Sequence, residues 1–204
     1  MRKDAETRKH EILDAAHSLF ATKGFDGTST NDILEAIGIA RGTLYHHFKS
    51  KEDILNALID RYAEQLLGAA RQAAEDTSLP LLERIIRVVV SMNMSDGASE
   101  EMMEQLHRPQ NALMHQKIHK MMINGLTPIL ADIIREGIMQ GEFNTPYPYE
   151  CMEMVVTYAN TVFDDDTVEM TNEERFKRMQ AFIFNIERML AVEEGRFMAA
   201  MQMF

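Results

Sequence analysis

Residues Ser29 to Phe48 read STNDILEAIGIARGTLYHHF, and the fold turns on how they are punctuated. Ser29 precedes Asp32 at the spacing where a hydroxyl accepts from an early helical amide while the carboxylate reaches back to the cap. A short helix is expected to follow, burying Ile33, Leu34 and Ile37. Gly38-Ile39-Ala40 reads as a tight turn, after which another short helix runs from about Arg41 to Phe48. Helix, glycine turn and helix at this spacing make a helix-turn-helix, whose second member normally enters the major groove of DNA.

At about 100° per residue, Leu44 and Phe48 define the buried side of that second helix. Gly42 and His46 lie almost opposite, flanked by Thr43 and Tyr45, with Arg41 at the exposed start. The outward chemistry suits DNA. Arg41 forks onto guanine or phosphate, the Thr43 hydroxyl and methyl suit a base edge, and Tyr45 and His46 donate to phosphates. Gly42 lets the backbone come close, and Lys51 adds charge to helix-start amides that favour phosphate.

Upstream, Ile12, Leu13, Ala16, Leu19 and Phe20 fall on one helical stripe, and Gly24 is expected to supply a left-handed stop. Downstream, Ser50 and Asp53 repeat the capping-box spacing and open a long helix carrying Ile54, Leu55, Leu58, Ile59, Tyr62 and Leu66. With these flanks, ILDAAHSLFATKGFDGTSTNDILEAIGIARGTLYHHFKSKEDIL closely resembles the DNA-binding pattern of the tetracycline-repressor-like (TetR) family, over about residues 9–55. By this resemblance Thr28, Arg41, Thr43, Tyr45, His46 and Lys51 match positions that commonly contact DNA. Ala40 departs from the pattern, because many members carry a capping serine there, and its loss costs about 1 kcal/mol.

The resemblance implies an all-α homodimer, with an N-terminal three-helix helix-turn-helix DNA-binding domain (1–52) and a C-terminal helical ligand-binding and dimerisation domain (53–204). It further implies that the last two helices pair with their copies in a four-helix bundle and that the middle helices enclose a small-molecule effector. Its expected partner is a palindromic double-stranded DNA operator, from which a small inducer releases a repressor; the methionines of the body, not the resemblance, suggest that the inducer is hydrophobic. The phrase IIREGIMQGEF is also often seen at this place in the family.

Charge fits that division. The chain carries a net −11 over 204 residues, which on its own argues against a polyanionic partner. Residues 1–51, however, hold eight Lys/Arg against seven Asp/Glu and four of the seven histidines. The acidic excess lies in the remainder, so only the head is suited to DNA.

Beyond residue 80 the apolar spacing stays helical: from Pro80 through Val90, at about 99–108, from 111 to 140 with a kink or break expected at Gly125 and Pro128, at about 149–163, and at 172–192. The body holds 16 of the 17 methionines, a residue that lines adaptable apolar sites. Tyr62, Met92, Met103, His107, Met122 and Tyr158 are the candidate effector contacts; a methionine-rich core is the plainer reading of any one methionine.

His107, His115 and His119, with Cys151 or Glu153, raise metal sensing as an alternative. Asp164-Asp165-Asp166 lacks the alternating ligands of a calcium loop and reads as a solvated link. No metal or cofactor is expected, and no nucleophile elbow, phosphate loop or zinc-protease motif suggests an enzyme. Phe176, Met179, Ile183, Ile186 and Leu190, widened by Phe182, Phe184 and Met189, offer more apolar surface than one buried face needs, which predicts a dimer seam. No apolar run approaches the roughly 20 residues that span a bilayer, and the single cysteine excludes an internal disulfide framework. A cytoplasmic protein is expected.

Overall fold

The computed structural model describes residues 4–93, 112–163 and 170–201. Among them the chain forms nine helices and no strand: α1 (Ala5–Gly27), α2 (Thr30–Ile37), α3 (Arg41–His47), α4 (Lys51–Glu75), α5 (Leu81–Asn93), α6 (Ala112–Met139), α7 (Pro148–Val162), α8 (Asn172–Met189) and α9 (Arg196–Met201). The helix expected at 99–108 and the run Asp164 to Asp166 lie outside the described residues. Two compact units divide the chain: one holds the described residues through Glu64 together with those up to Ile118, the other those from Gln65 and from His119 onward.

In the first unit, Ile12, Leu13, Ala16 and Phe20 of α1 are buried, as are Ile33, Leu44, Phe48, Ile54, Leu55 and Leu58. Each large side chain so buried contributes about 1.5–3 kcal/mol. Gly24 interrupts the helix at a positive φ, as expected, without finishing it. It sits at φ 77, ψ 162, kinks the helix, and the chain resumes helical geometry to Gly27. The extra turn seats Phe25 edge-on against Phe20, with ring centres 5.2 Å apart.

The predicted capping box of α2 is formed: Ser29 Oγ accepts from the Asp32 amide, and Asp32 accepts from the Ser29 amide at 2.8 Å. Gly38 takes the left-handed conformation, φ 64, ψ 41, that turns the chain into α3. At α4, Ser50 Oγ accepts from the Asp53 amide at 3.0 Å, while the Asp53 carboxylate accepts from the amide of Lys49 rather than that of Ser50.

In the second unit α6 is one continuous helix through Gly125 and Pro128, so of the expected kink or break the break does not occur. Gly125 has a packing reason instead: a β-carbon there would lie 2.2 Å from Leu67 Cδ1 of α4. The phrase REGIMQGEF gains a similar explanation. Gly137 makes room for the Phe143 ring, and Gly141 at φ 76 permits the end of α6, where the Glu142 amide donates to the Gly137 carbonyl. Val88 to Val90, strand-like by propensity, are helical within α5.

The helix α8 stops at Met189, short of the expected Val192. Ala191 is left-handed at φ 53, the Val192 amide donates to the Glu187 carbonyl and the Ala191 amide to that of Arg188. This is a Schellman ending built without glycine. The apolar tail then folds as α9 against α5 and α8 of its own chain, burying Phe197 and Ala200. Glu187, 2% exposed, accepts from the amides of Gly195 and Phe197 at 2.9 and 2.8 Å and so caps α9.

Candidate nucleic-acid interface

The short helix α3 presents two sides of opposite character. Leu44 and Phe48 are buried, while Arg41, Gly42, Tyr45 and His46 are exposed and Thr43 is half-buried. Ala40 stands at the N-cap with no side-chain bond, as its methyl group dictates. A β-carbon added to Gly42 would meet nothing within 4 Å, so no packing inside the chain demands glycine there. A helical glycine costs about 0.5–1 kcal/mol relative to alanine, and at Gly42 that cost leaves an uncluttered surface.

The outward side chains lean on one another. The Arg41 guanidinium carbon lies 5.5 Å from the centre of the Tyr45 ring, and the His46 and His47 rings meet edge-on at 5.2 Å. The Thr30 side chain beside it, and then the Arg41 charge, hold the Tyr45 phenol below its ordinary pKa. Thr30 escaped the sequence reading, because a threonine at the first position of α2 looks only like a helix start. Behind this face Lys23 pairs with Asp32 at 2.5 Å. That ammonium, with the Ser29 hydroxyl and amide, holds the Asp32 carboxyl well below the usual range.

Two expected contacts face inward. Thr28 is 2% exposed, and its hydroxyl reaches the carbonyls of Gly24 at 2.7 Å and Leu19 at 3.2 Å. It holds the end of α1. The Lys51 ammonium donates to the Phe25 carbonyl at 2.6 Å and sits 4.3 Å from the Phe25 ring centre. One of its N–H donors is thus committed to α1.

The effector candidates are scattered. Tyr62 is half-buried with its ring edge-on to His17 at 5.8 Å, and its hydroxyl has no hydrogen-bond partner among the described residues. Burial pushes that phenol up, with the Arg61 charge opposing. Met92 and Met122 are half-buried in the second unit; Met103 and His107 lie outside the described residues. Tyr158 stacks on Phe182 at 5.2 Å and meets Phe163 at 5.9 Å, an aromatic cluster joining α7 and α8. A groove of about 540 Å³ between α1 and α2 is lined by Arg8, Glu11, Asp14, Ala15, Ser18, Leu19, Ala36 and Ile37, none of them an effector candidate.

No group of three or more metal-ligating side chains occurs among the described residues. Cys151 is buried with its sulfur 3.4 Å from the Thr145 hydroxyl. No helix of the described residues is long and apolar enough to cross a membrane.

Two family models match the chain: "Bacterial regulatory proteins, tetR family" over residues 12–58, and "Tetracyclin repressor-like, C-terminal domain" over residues 94–184. The chain is 28% identical over 150 residues to the HTH-type transcriptional regulator UidR of Escherichia coli strain K12, covering 71% of this chain and 76% of UidR. To the HTH-type transcriptional repressor KstR2 of Rhodococcus jostii it is 42% identical over 65 residues, 32% of either chain. In fold it is similar to the crystal structure of a tetR-family transcriptional regulator from Pectobacterium atrosepticum, with a TM-score of 0.64, 18% identity, and coverage of 93% of this chain and 97% of that one.

Proposed function

The chain belongs to the tetR family of bacterial regulatory proteins, and from that premise we propose that this DNA-binding transcriptional regulator is a homodimeric repressor, released from an inverted-repeat operator by a small, mainly apolar effector. The observation that carries the reading is α3: a short helix anchored by Leu44 and Phe48 whose other side presents Arg41, Gly42, Tyr45 and His46 to solvent. Arg41 is the base-reading candidate, Tyr45 and His46 the phosphate contacts, and Thr43 a base-edge contact. The ammonium charge of Lys51 supports the phosphate approach from the start of α4.

Dimerisation is supported by Met154 and Tyr158 on α7 and Phe176 and Phe184 on α8, which are 60, 41, 60 and 42% exposed. Four large apolar groups on two helices are more than a solvated surface ordinarily shows, and a twofold copy buries them against themselves. Residues 1–52 carry the DNA-binding role and 53–204 the effector and dimer roles in this reading, with Met92 and Met122 as effector contacts. The named relatives are transcriptional regulators, which favours regulation over catalysis, and a cytoplasmic location follows from access to DNA.

Repression by release requires that the effector prefer the conformation that fits the operator poorly, since equal affinity for both shifts nothing. The test is selection of bound duplexes from a random DNA pool near physiological salt. An enriched inverted repeat, with half-sites about 34 Å apart or a multiple of that, is the expected result. Folded, dimeric protein that enriches nothing overturns the proposal.

A further inference from the structure

The exposed side of α3 carries an internal arrangement that a row of separate DNA contacts does not require. Arg41 opens the helix, Tyr45 follows one turn later, and the Arg41 guanidinium carbon lies over the Tyr45 ring, 5.5 Å from its centre. That ring is exposed, and the Thr30 side chain of α2 stands beside its phenol. Thr30, Tyr45 and Arg41 thus form a short chain across the outer surface of the first unit, from α2 through the aromatic ring to the cation. A surface arginine samples many rotamers, and ordering it on binding costs that freedom. Attraction to the ring restricts it beforehand.

Other cations of the same unit are committed within the chain. Arg8 pairs with Glu11 at 2.7 Å, Lys23 with Asp32 at 2.5 Å and Arg61 with Asp14 at 2.7 Å, while Lys51 donates to the Phe25 carbonyl. Among the described residues no carboxylate pairs with Arg41. The ring holds the cation through its π face, which leaves most of the five N–H donors of the guanidinium for another molecule.

Position and donor set together select that molecule. The first residues of a recognition helix are those that meet base edges in the major groove. An arginine fork donates and never accepts. Guanine offers it two acceptors, N7 and O6, whereas adenine sets an amino donor beside N7, which would face the fork donor to donor.

We infer that Arg41 reads a guanine in each operator half-site and that the Tyr45 ring is the positioning residue that sets its fork for this readout, a role separate from the phosphate contact of the Tyr45 phenol. The inference rests on the operator-binding reading above. It divides one side chain into two parts: the ring governs which base is chosen, and the hydroxyl how tightly any duplex is held.

The test is selection from a random duplex pool by the full chain and by Arg41→Gln, Tyr45→Phe and Tyr45→Leu in parallel, followed by titration of duplexes that differ only at the guanine. Both residues are exposed, so the exchanges leave the buried anchors Leu44 and Phe48 in place, and helicity is checked first. For the unaltered chain one such guanine per half-site is expected, with adenine in its place weakening binding roughly tenfold, within the range of a bidentate pair. Glutamine pairs with adenine N6 and N7, so Arg41→Gln should move that position to adenine and leave the others unchanged. Tyr45→Phe should keep the guanine preference while binding all duplexes more weakly. Tyr45→Leu should lower the preference itself about threefold, as loss of an exposed cation–π contact predicts.

A selected repeat with no guanine that responds to Arg41→Gln assigns Arg41 to phosphate and overturns the inference. A preference that survives Tyr45→Leu, or that Tyr45→Phe lowers equally, overturns the role given to the ring. An unaltered chain that enriches no sequence overturns the operator-binding reading, and this inference with it.

Discussion

The Lys51 ammonium, at the start of α4, donates to the Phe25 carbonyl in the last turn of α1 at 2.6 Å. It thereby ties the start of α4 to the end of α1, using a charge that sequence position alone would send to phosphate. Lys51→Met should lower stability by about 1–2 kcal/mol, the range of a charge-assisted hydrogen bond at a partly exposed site. Urea unfolding measures this, and an unchanged midpoint would mean that the bond does not persist in solution.

Gly42 should show opposite effects on folding and binding. Gly42→Ala places a methyl group in open space and removes the glycine penalty, raising stability by about 0.5–1 kcal/mol. Operator affinity should fall, because the surface where backbone meets DNA gains bulk. Thermal unfolding and a binding titration on one preparation decide it; a variant that binds as well as the parent would remove Gly42 from the interface.

Asp32 makes stability depend on acidity in a definite direction. Its folded pKa lies below the ordinary value, chiefly through Lys23 and then Ser29. The ionised carboxylate therefore stabilises the fold above the unfolded value, about 3.9, and this contribution fades as pH falls through that value toward the lower folded one. Asp32→Asn should be destabilising at pH 7 and progressively less so below pH about 4. A deficit that stayed constant across that window would mean that the charge is not the source.

Phe184 is 42% exposed, with the Arg188 guanidinium 5.0 Å from its ring centre. If α7 and α8 form the dimer seam, Phe184→Glu puts like charges into a twofold contact. A loss of about 2 kcal/mol, typical of a central interface residue, weakens association roughly thirtyfold. Sedimentation across a concentration series reads the shift toward monomer, and operator binding should fall with it. A dimer of unchanged affinity would place the seam elsewhere.

By itself the sequence determined the helical class, the helix-turn-helix and most helix starts. Those features depend on residues within one or two turns of each other, such as Ser29 with Asp32, Gly38 at a positive φ, and the Leu44 and Phe48 spacing. The exposed character of Arg41, Tyr45 and His46 followed from the same short-range periodicity. Tertiary structure alone decided which polar groups were free to act. Thr28 and Lys51 turn inward because backbone carbonyls of α1 wait for them, the second across 26 residues of chain, and Arg84 finds Glu136 across 52. It also decided that α6 continues past Gly125, since the vacancy is filled by Leu67, and that the apolar tail folds back on α5 and α8 of its own chain. Periodicity records which side of a helix is apolar; the partner that satisfies a buried donor, or fills a missing side chain, comes from a distant part of the chain and exists only once the helices have packed.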